Sequence, residues 1–111
     1  MRSNRQRLED ILECIAAIRR YTGEGRARFD AEELARVWCL RHLEVIGEAV
    51  AQLPRELREQ YPEVPWRAIV AMRNLLIHGY ADAEDEELWR VVENDLEPLR
   101  RCVERMLAEL A

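Results

Sequence analysis

The segment Met72-Arg73-Asn74-Leu75-Leu76-Ile77-His78-Gly79-Tyr80 sets a guanidinium, an amide, an imidazole and a phenol within eight residues. An Arg always carries its charge and grips phosphate oxygens with paired donors, and a His titrates near neutral pH and so can take or give a proton. Those two abilities are what breaking a phosphodiester by proton transfer requires. Asn74 and His78 are four apart, so a helix sets them on one face and lets the amide orient the ring. Arg73 and His78 are five apart, roughly 140° around a helix axis and about 7.5 Å along it. A single chain does not obviously converge them. A two-fold dimer that brings two such helix ends together would build a shared cleft with two Arg and two His, one His serving as base and the other as acid. Dimerisation is therefore expected to be a condition of activity.

Each of these residues also has an ordinary reading. His78 taken alone suits a helix C-terminus, where its cation is favoured. Arg73 suits an interface or a salt bridge, and Tyr80 an amphipathic rim. All 17 basic residues are Arg, so composition bias accounts for an Arg at any one position. Cys39 and His42, three apart, could start a metal site, but no second pair completes tetrahedral ligation and no metal is expected. Trp38, Trp66 and Trp89 read as core or interface anchors.

Helices must position the motif. Leu8, Ile11, Leu12, Ile15 and Ile18 follow the spacing of one buried stripe, which predicts a first helix over residues ~5–21, ended by Thr22-Gly23-Glu24-Gly25. Asp30 offers an N-cap with Glu33 at N3 for a second helix that runs to Leu53 before Pro54. That helix is apolar on more than one face, which makes it central or covered by a second subunit. Gly47 inside it costs about 1 kcal/mol in helix propensity and predicts a close helix crossing. Residues 55–61 can form a short helix, and Pro65 opens the next one, whose buried side is Trp66, Ile69, Val70, Leu76 and Ile77, with Arg73 in the same sector and Gly79 as the stop. The acidic run from Asp82 to Glu87 reads as a loop or as the negative first turn of the last helix. Leu88, Val92, Leu96, Leu99, Val103, Met106 and Leu110 make a long stripe with a kink or joint at Pro98. The expected fold is all-α, an antiparallel bundle of four long helices plus one short helix in a single domain, 1–111.

Composition agrees and excludes several classes. The 111 residues are 49% hydrophobic and 35% charged, enough for one packed domain and too few for two. Val, Ile and Thr are sparse beside Leu, Ala, Glu and Arg, which argues against all-β folds. No stretch approaches the ~20 apolar residues of a membrane span, and no signal-type apolar core follows the N-terminus, so a cytoplasmic protein is expected. Cys14, Cys39 and Cys102 are an odd number without a C-x-x-C pair, which reads as reduced, buried thiols. The net charge of −5, with −7 concentrated in residues 81–99, gives no broad nucleic-acid footprint, so RNA would bind locally or to an oligomer.

Arg73-x-x-x-x-His78-x-Tyr80 resembles the motif of HepT-like proteins, a branch of the HEPN ribonucleases that act as toxins beside a small nucleotidyltransferase antitoxin. Leu8-Glu9-Asp10-Ile11, Leu43-Glu44-Val45-Ile46-Gly47-Glu48-Ala49, Tyr61-Pro62, Pro65-Trp66 and Asn94-Asp95-Leu96-Glu97-Pro98-Leu99 extend the similarity over about residues 7–110. Ala81-Asp82-Ala83-Glu84-Asp85 departs from it, being more acidic than that family's usual text. The resemblance implies a homodimer that cuts RNA without metal or other cofactor, the substrate's 2′-hydroxyl attacking the adjacent phosphate to leave a 2′,3′-cyclic phosphate. It implies that His78 moves the protons, Arg73 stabilises the phosphorane and Asn74 supports the His. Tyr80 would be the hydroxyl to which the antitoxin adds AMP, silencing the toxin. A different class of function stays open beside it: a non-catalytic helical module that binds the nucleotidyltransferase and is modified by it.

Overall fold

The computed structural model describes residues 1–79 and 85–110, with 76–79 described by backbone alone. Every element among the described residues is helical: α1 Asn4–Thr22, α2 Ala27–Ala31, α3 Glu33–Gln52, α4 Arg55–Glu59, α5 Trp66–Gly79, α6 Asp85–Asn94 and α7 Leu96–Glu109. The long helix α3 lies between α1 and α5, α1 packs against α7, and the short α2 sits on α1 and α3.

α1 starts in a reciprocal cap. The Gln6 amide donates to Ser3 Oγ at 3.1 Å while Ser3 N–H donates to Gln6 Oε1 at 2.7 Å, satisfying two of the helix's free donors. Its expected stripe is in place, with Leu8, Ile11, Ile15 and Ile18 essentially inaccessible and Leu12 half-buried. The turn after it needs a glycine at Gly25, where φ is +116°.

The start of α3 differs from the expected Asp30 cap. Residues Ala27–Ala31 form a separate turn of helix, Asp30 lies inside it and pairs with Arg26 at 2.9 Å, and α3 begins at Glu33 behind Glu32 with no side-chain cap. The physical reason is Phe29, which is fully buried against Trp89 with ring centroids 5.3 Å apart. Burying a Phe contributes about 1.5–3 kcal/mol, more than the ~1 kcal/mol of a good N-cap. Arg36 of α3 donates instead to the Phe29 and Asp30 carbonyls, both at 2.9 Å, and so satisfies acceptors at the end of α2 and ties the two helices together.

The last expected helix is two, α6 and α7, meeting at Asp95. Pro98 is the third residue of α7, where an amide hydrogen would have no acceptor within the helix, so the break falls just upstream and the proline fits the first turn without loss. The stripe continues across the joint: Leu88, Val92, Leu96, Leu99, Val103 and Met106 are all buried. Glu97 ties α7 to α1, receiving Arg19 at 2.8 Å as well as Arg100. Hydrogen bonding from Arg100, then from Arg19, holds its carboxyl down to about 2.

The three cysteines are free and buried, on α1, α3 and α7, and burial pushes each thiol up to about 11. No described helix is long and apolar enough to cross a membrane.

Candidate active site on α5

α5 rests on α3 through a glycine. A methyl built on Gly47 would overlap the Cβ of Arg73 and lie 2.7 Å from its Cγ and 3.4 Å from its Cα, so only glycine lets the two backbones approach this closely. The crossing expected at Gly47 is there, and the residue it accommodates is the motif Arg. Beyond it, α5 leaves a cavity of about 280 Å³ toward α6 and α7, lined in part by Ile46, Ala68, Ile69, Met72, Val91 and Leu99. α5 is thus seated firmly on one neighbour and loosely on the others.

The guanidinium of Arg73 is held by Glu48, Nη1 to Oε2 at 3.0 Å. The Arg side chain is 21% exposed and the Glu side chain 56%, so the pair contributes at most about 1 kcal/mol to stability, and its larger effect is to fix where the cation stands. The Arg73 Nε is shielded from solvent and has no hydrogen-bond partner among the described residues. Glu48 belongs to the Leu43–Ala49 block quoted for the resemblance, yet nothing in its spacing from Arg73 reveals the pairing, because the two are 25 positions apart on different helices.

Asn74 is exposed and lines a shallow basin with Ala51, Arg58, Arg67, Val70 and Ala71. Leu75 is 60% exposed. His78 lies in the last turn of α5 by its backbone, and its side chain lies outside the described residues, as does Tyr80 altogether. Of the expected site, the structure therefore locates the Arg73 and Asn74 side chains and the helical position of residue 78. Arg58 and Arg67 were not picked out by sequence reasoning, and the all-Arg composition gave no signal to find them.

The acidic residues downstream are partly answered by cations. Asp85 meets Arg36 at 3.4 Å, and Glu86 is gripped by Arg26, whose hydrogen bond keeps that carboxyl below its usual range. Cys39 is fully buried, and His42 Nδ1 bonds the Trp38 carbonyl at 2.7 Å with its ring against the indole. Among the described residues no group of three or more His, Cys, Asp or Glu side chains is placed to hold a metal ion.

Comparison with known proteins gives the chain a family. The model of the family described as "Ribonuclease HepT-like" matches residues 11–106. A "Probable ribonuclease HepT" of Thermococcus cleftensis is 35% identical over 106 residues, covering 95% of this chain and 96% of the relative. A "Putative RNase" of Caldanaerobacter subterraneus subsp. tengcongensis is 36% identical over 108 residues, 96% of each chain, and another of Methanocaldococcus jannaschii is 35% identical over 98 residues, 87% of this chain and 90% of the relative. No solved structure matches. With a family match over most of its length and relatives of this similarity end to end, the chain belongs to the ribonuclease HepT-like family and is an enzyme of the ribonuclease class.

Proposed function

We propose that this protein is a metal-independent endoribonuclease whose site is built on the C-terminal half of α5. The substrate's 2′-hydroxyl attacks the adjacent phosphorus, the bond to the 5′-oxygen of the next nucleotide breaks, and a 2′,3′-cyclic phosphate and a 5′-hydroxyl result. His78 accepts the 2′-hydroxyl proton, and a second His78, from the partner of a homodimer, protonates the leaving oxygen. Arg73 stabilises the extra negative charge on the phosphorane, and Asn74 orients the imidazole from one turn below.

The observation that carries this reading is the guanidinium of Arg73. In a chain of a ribonuclease family it is fixed at a glycine-lined crossing by Glu48 and keeps one buried donor without a partner among the described residues. Dimerisation through α5 is supported by the exposed Leu75, with Leu34 and Val37 of α3 as further uncovered apolar groups at 80% and 51% exposure. We further propose that the protein is the toxin of a pair, silenced when a nucleotidyltransferase antitoxin adds AMP to Tyr80, because a bulky anion there would repel the incoming RNA phosphate.

The deciding experiment is cleavage of RNA by the purified protein in EDTA, with end analysis of the products. Cyclic-phosphate ends and a loss of about 10²–10⁴ in rate for His78→Ala are expected; a variant that cuts as fast as wild type would remove His78 from the mechanism. Growth arrest on expression alone, relieved by a co-expressed nucleotidyltransferase that adds AMP to Tyr80, tests the pairing. The alternative of a non-catalytic partner module rested on negative charge after Tyr80, and the pairing of Asp85 and Glu86 with Arg36 and Arg26 weakens that ground.

A further inference from the structure

Most of the arginines have a carboxylate within 4 Å among the described residues, so their charge is spent inside the molecule. Arg58 on α4 and Arg67 on α5 have none among the described residues, and they share the basin that also holds Asn74. The basin has a volume of about 310 Å³, and the small side chains of Ala51 and Ala71 keep it open between the two cations. Glu59, the carboxylate beside Arg58, is engaged by Arg55 at 2.9 Å. Arg58 also has a buried Nε without a hydrogen-bond partner among the described residues, a condition it shares with Arg73. A buried donor left unpaired within the fold is uncommon, and a water, an ion or a ligand can supply its acceptor.

The placement of this pair relative to the motif is what gives it a ligand. Positions 67, 70/71, 74 and 78 follow one face of α5, and 67 to 78 spans about 16.5 Å along the axis. A polyanion with one phosphate at the motif end of α5 would, on that face, pass Asn74 and reach Arg67 and Arg58 two turns further back. A pair of guanidiniums in an open, shallow basin suits a backbone running over it.

We infer that Arg58 and Arg67 form a subsite that binds phosphates of single-stranded RNA on one side of the cleaved bond, holding the strand along α5 without reading its bases. This rests on the ribonuclease reading of α5, since it is the motif end that sets where the strand starts. It explains how an acidic chain can hold RNA: the contact is local, at two α4–α5 cations that have no carboxylate within 4 Å among the described residues, while the −7 of residues 81–99 is elsewhere in the sequence.

The test is binding of the full-length protein to a fluorescent 2′-O-methyl oligoribonucleotide, which cannot be cut by 2′-hydroxyl attack, over a series of salt concentrations. Two lost phosphate contacts on a single strand lower the slope of log K against log salt by about 1.4, and affinity at low salt falls roughly tenfold or more. That is the result expected for Arg58→Ala/Arg67→Ala, with Arg58→Lys/Arg67→Lys recovering the slope and Arg20→Ala, on α1, leaving it as in wild type. Thermal melts of each variant establish that the fold is retained. A double variant with the wild-type slope overturns the subsite. Displacement of the oligonucleotide from wild type, but not from the double variant, by sub-millimolar inorganic phosphate at constant ionic strength would assign the pair to a free anion and also overturn it. Cleavage of ordinary RNA by wild type is scored in parallel. Cleavage with an unchanged slope removes the subsite alone, whereas no cleavage with the expected slope change removes the ribonuclease reading and leaves an RNA-binding face.

Discussion

α1 and α5 carry similar apolar patterns and have different surroundings. On α1 the stripe Leu8, Ile11, Ile15 and Ile18 is sealed between α3 and α7, with no side chain of the four more than 1% exposed. On α5 only Trp66 is buried among the described side chains; Ile69, Val70 and Met72 are half-covered, Leu75 stands largely in solvent, and a cavity separates the helix from α6 and α7. Apolar periodicity on α1 therefore reports folding, while on α5 part of it is left for something else. Among the described residues, the helix that carries the motif is docked by one close crossing on α3 and leaves apolar surface uncovered, the surface on which the proposed dimer and substrate contacts would fall.

Substitutions on the two sides should separate these roles. Phe29→Ala, at the sealed side, should cost about 3–5 kcal/mol in denaturant unfolding; a loss under about 1 kcal/mol would show that the α2 turn is not part of the core. Gly47→Ala strikes the seam itself. Its methyl would overlap the Cβ of Arg73, an atom that cannot swing away, so α3 and α5 must part. Overpacking of this kind costs about 1–3 kcal/mol, and RNA cleavage should fall by more than the folded fraction does, because Arg73 moves with the helix; full activity would unlink the crossing from the site. Leu75→Ser, on the open side, should change unfolding of the isolated chain by less than about 0.5 kcal/mol while raising the dimer dissociation constant, read by sedimentation over a concentration series. An unchanged constant would move the interface off α5.

The smallest effect is confined to acid. Glu97 is held at about 2 in the folded chain by Arg100 and Arg19, against about 4.3 in an unfolded one. A carboxyl with a lowered folded value contributes stability that is complete above the unfolded value and is lost as pH falls toward 2. Glu97→Gln should remove that part of the acid dependence between about pH 4.5 and 2 and leave the profile near neutral pH with the same shape.

Much of this was readable from residue order. The α1 stripe, the stop at Pro54, the Gly47 crossing and the run from Leu88 to Met106 all follow from periodicity and from the backbone limits of Gly and Pro, and each is in place. Asp30 misled because a cap is a local signal worth about 1 kcal/mol, and a tertiary contact of Phe29 with Trp89 outweighs it. The joint at Asp95 was anticipated at Pro98, since a proline is tolerated three residues into a helix and marks a break only approximately. At the site, type and spacing selected Arg73 and Asn74. The Glu48 pairing and the Arg58–Arg67 basin depend on which helices meet, and no periodicity encodes that. As site residues, Arg73, Asn74, His78 and Tyr80 all remain expectations from type, spacing and motif.

The three cysteines supply a built-in clock for opening. With thiols pushed up to about 11 and almost no accessible surface, only about one molecule in ten thousand presents a thiolate at pH 7 by titration alone. Alkylation by a maleimide or iodoacetamide must then wait for the helix that carries the sulfur to come away, so the rate at Cys14, Cys39 and Cys102 times the release of α1, α3 and α7 one by one. α5 bears no cysteine, so its looser seat could move without tripping any of the three.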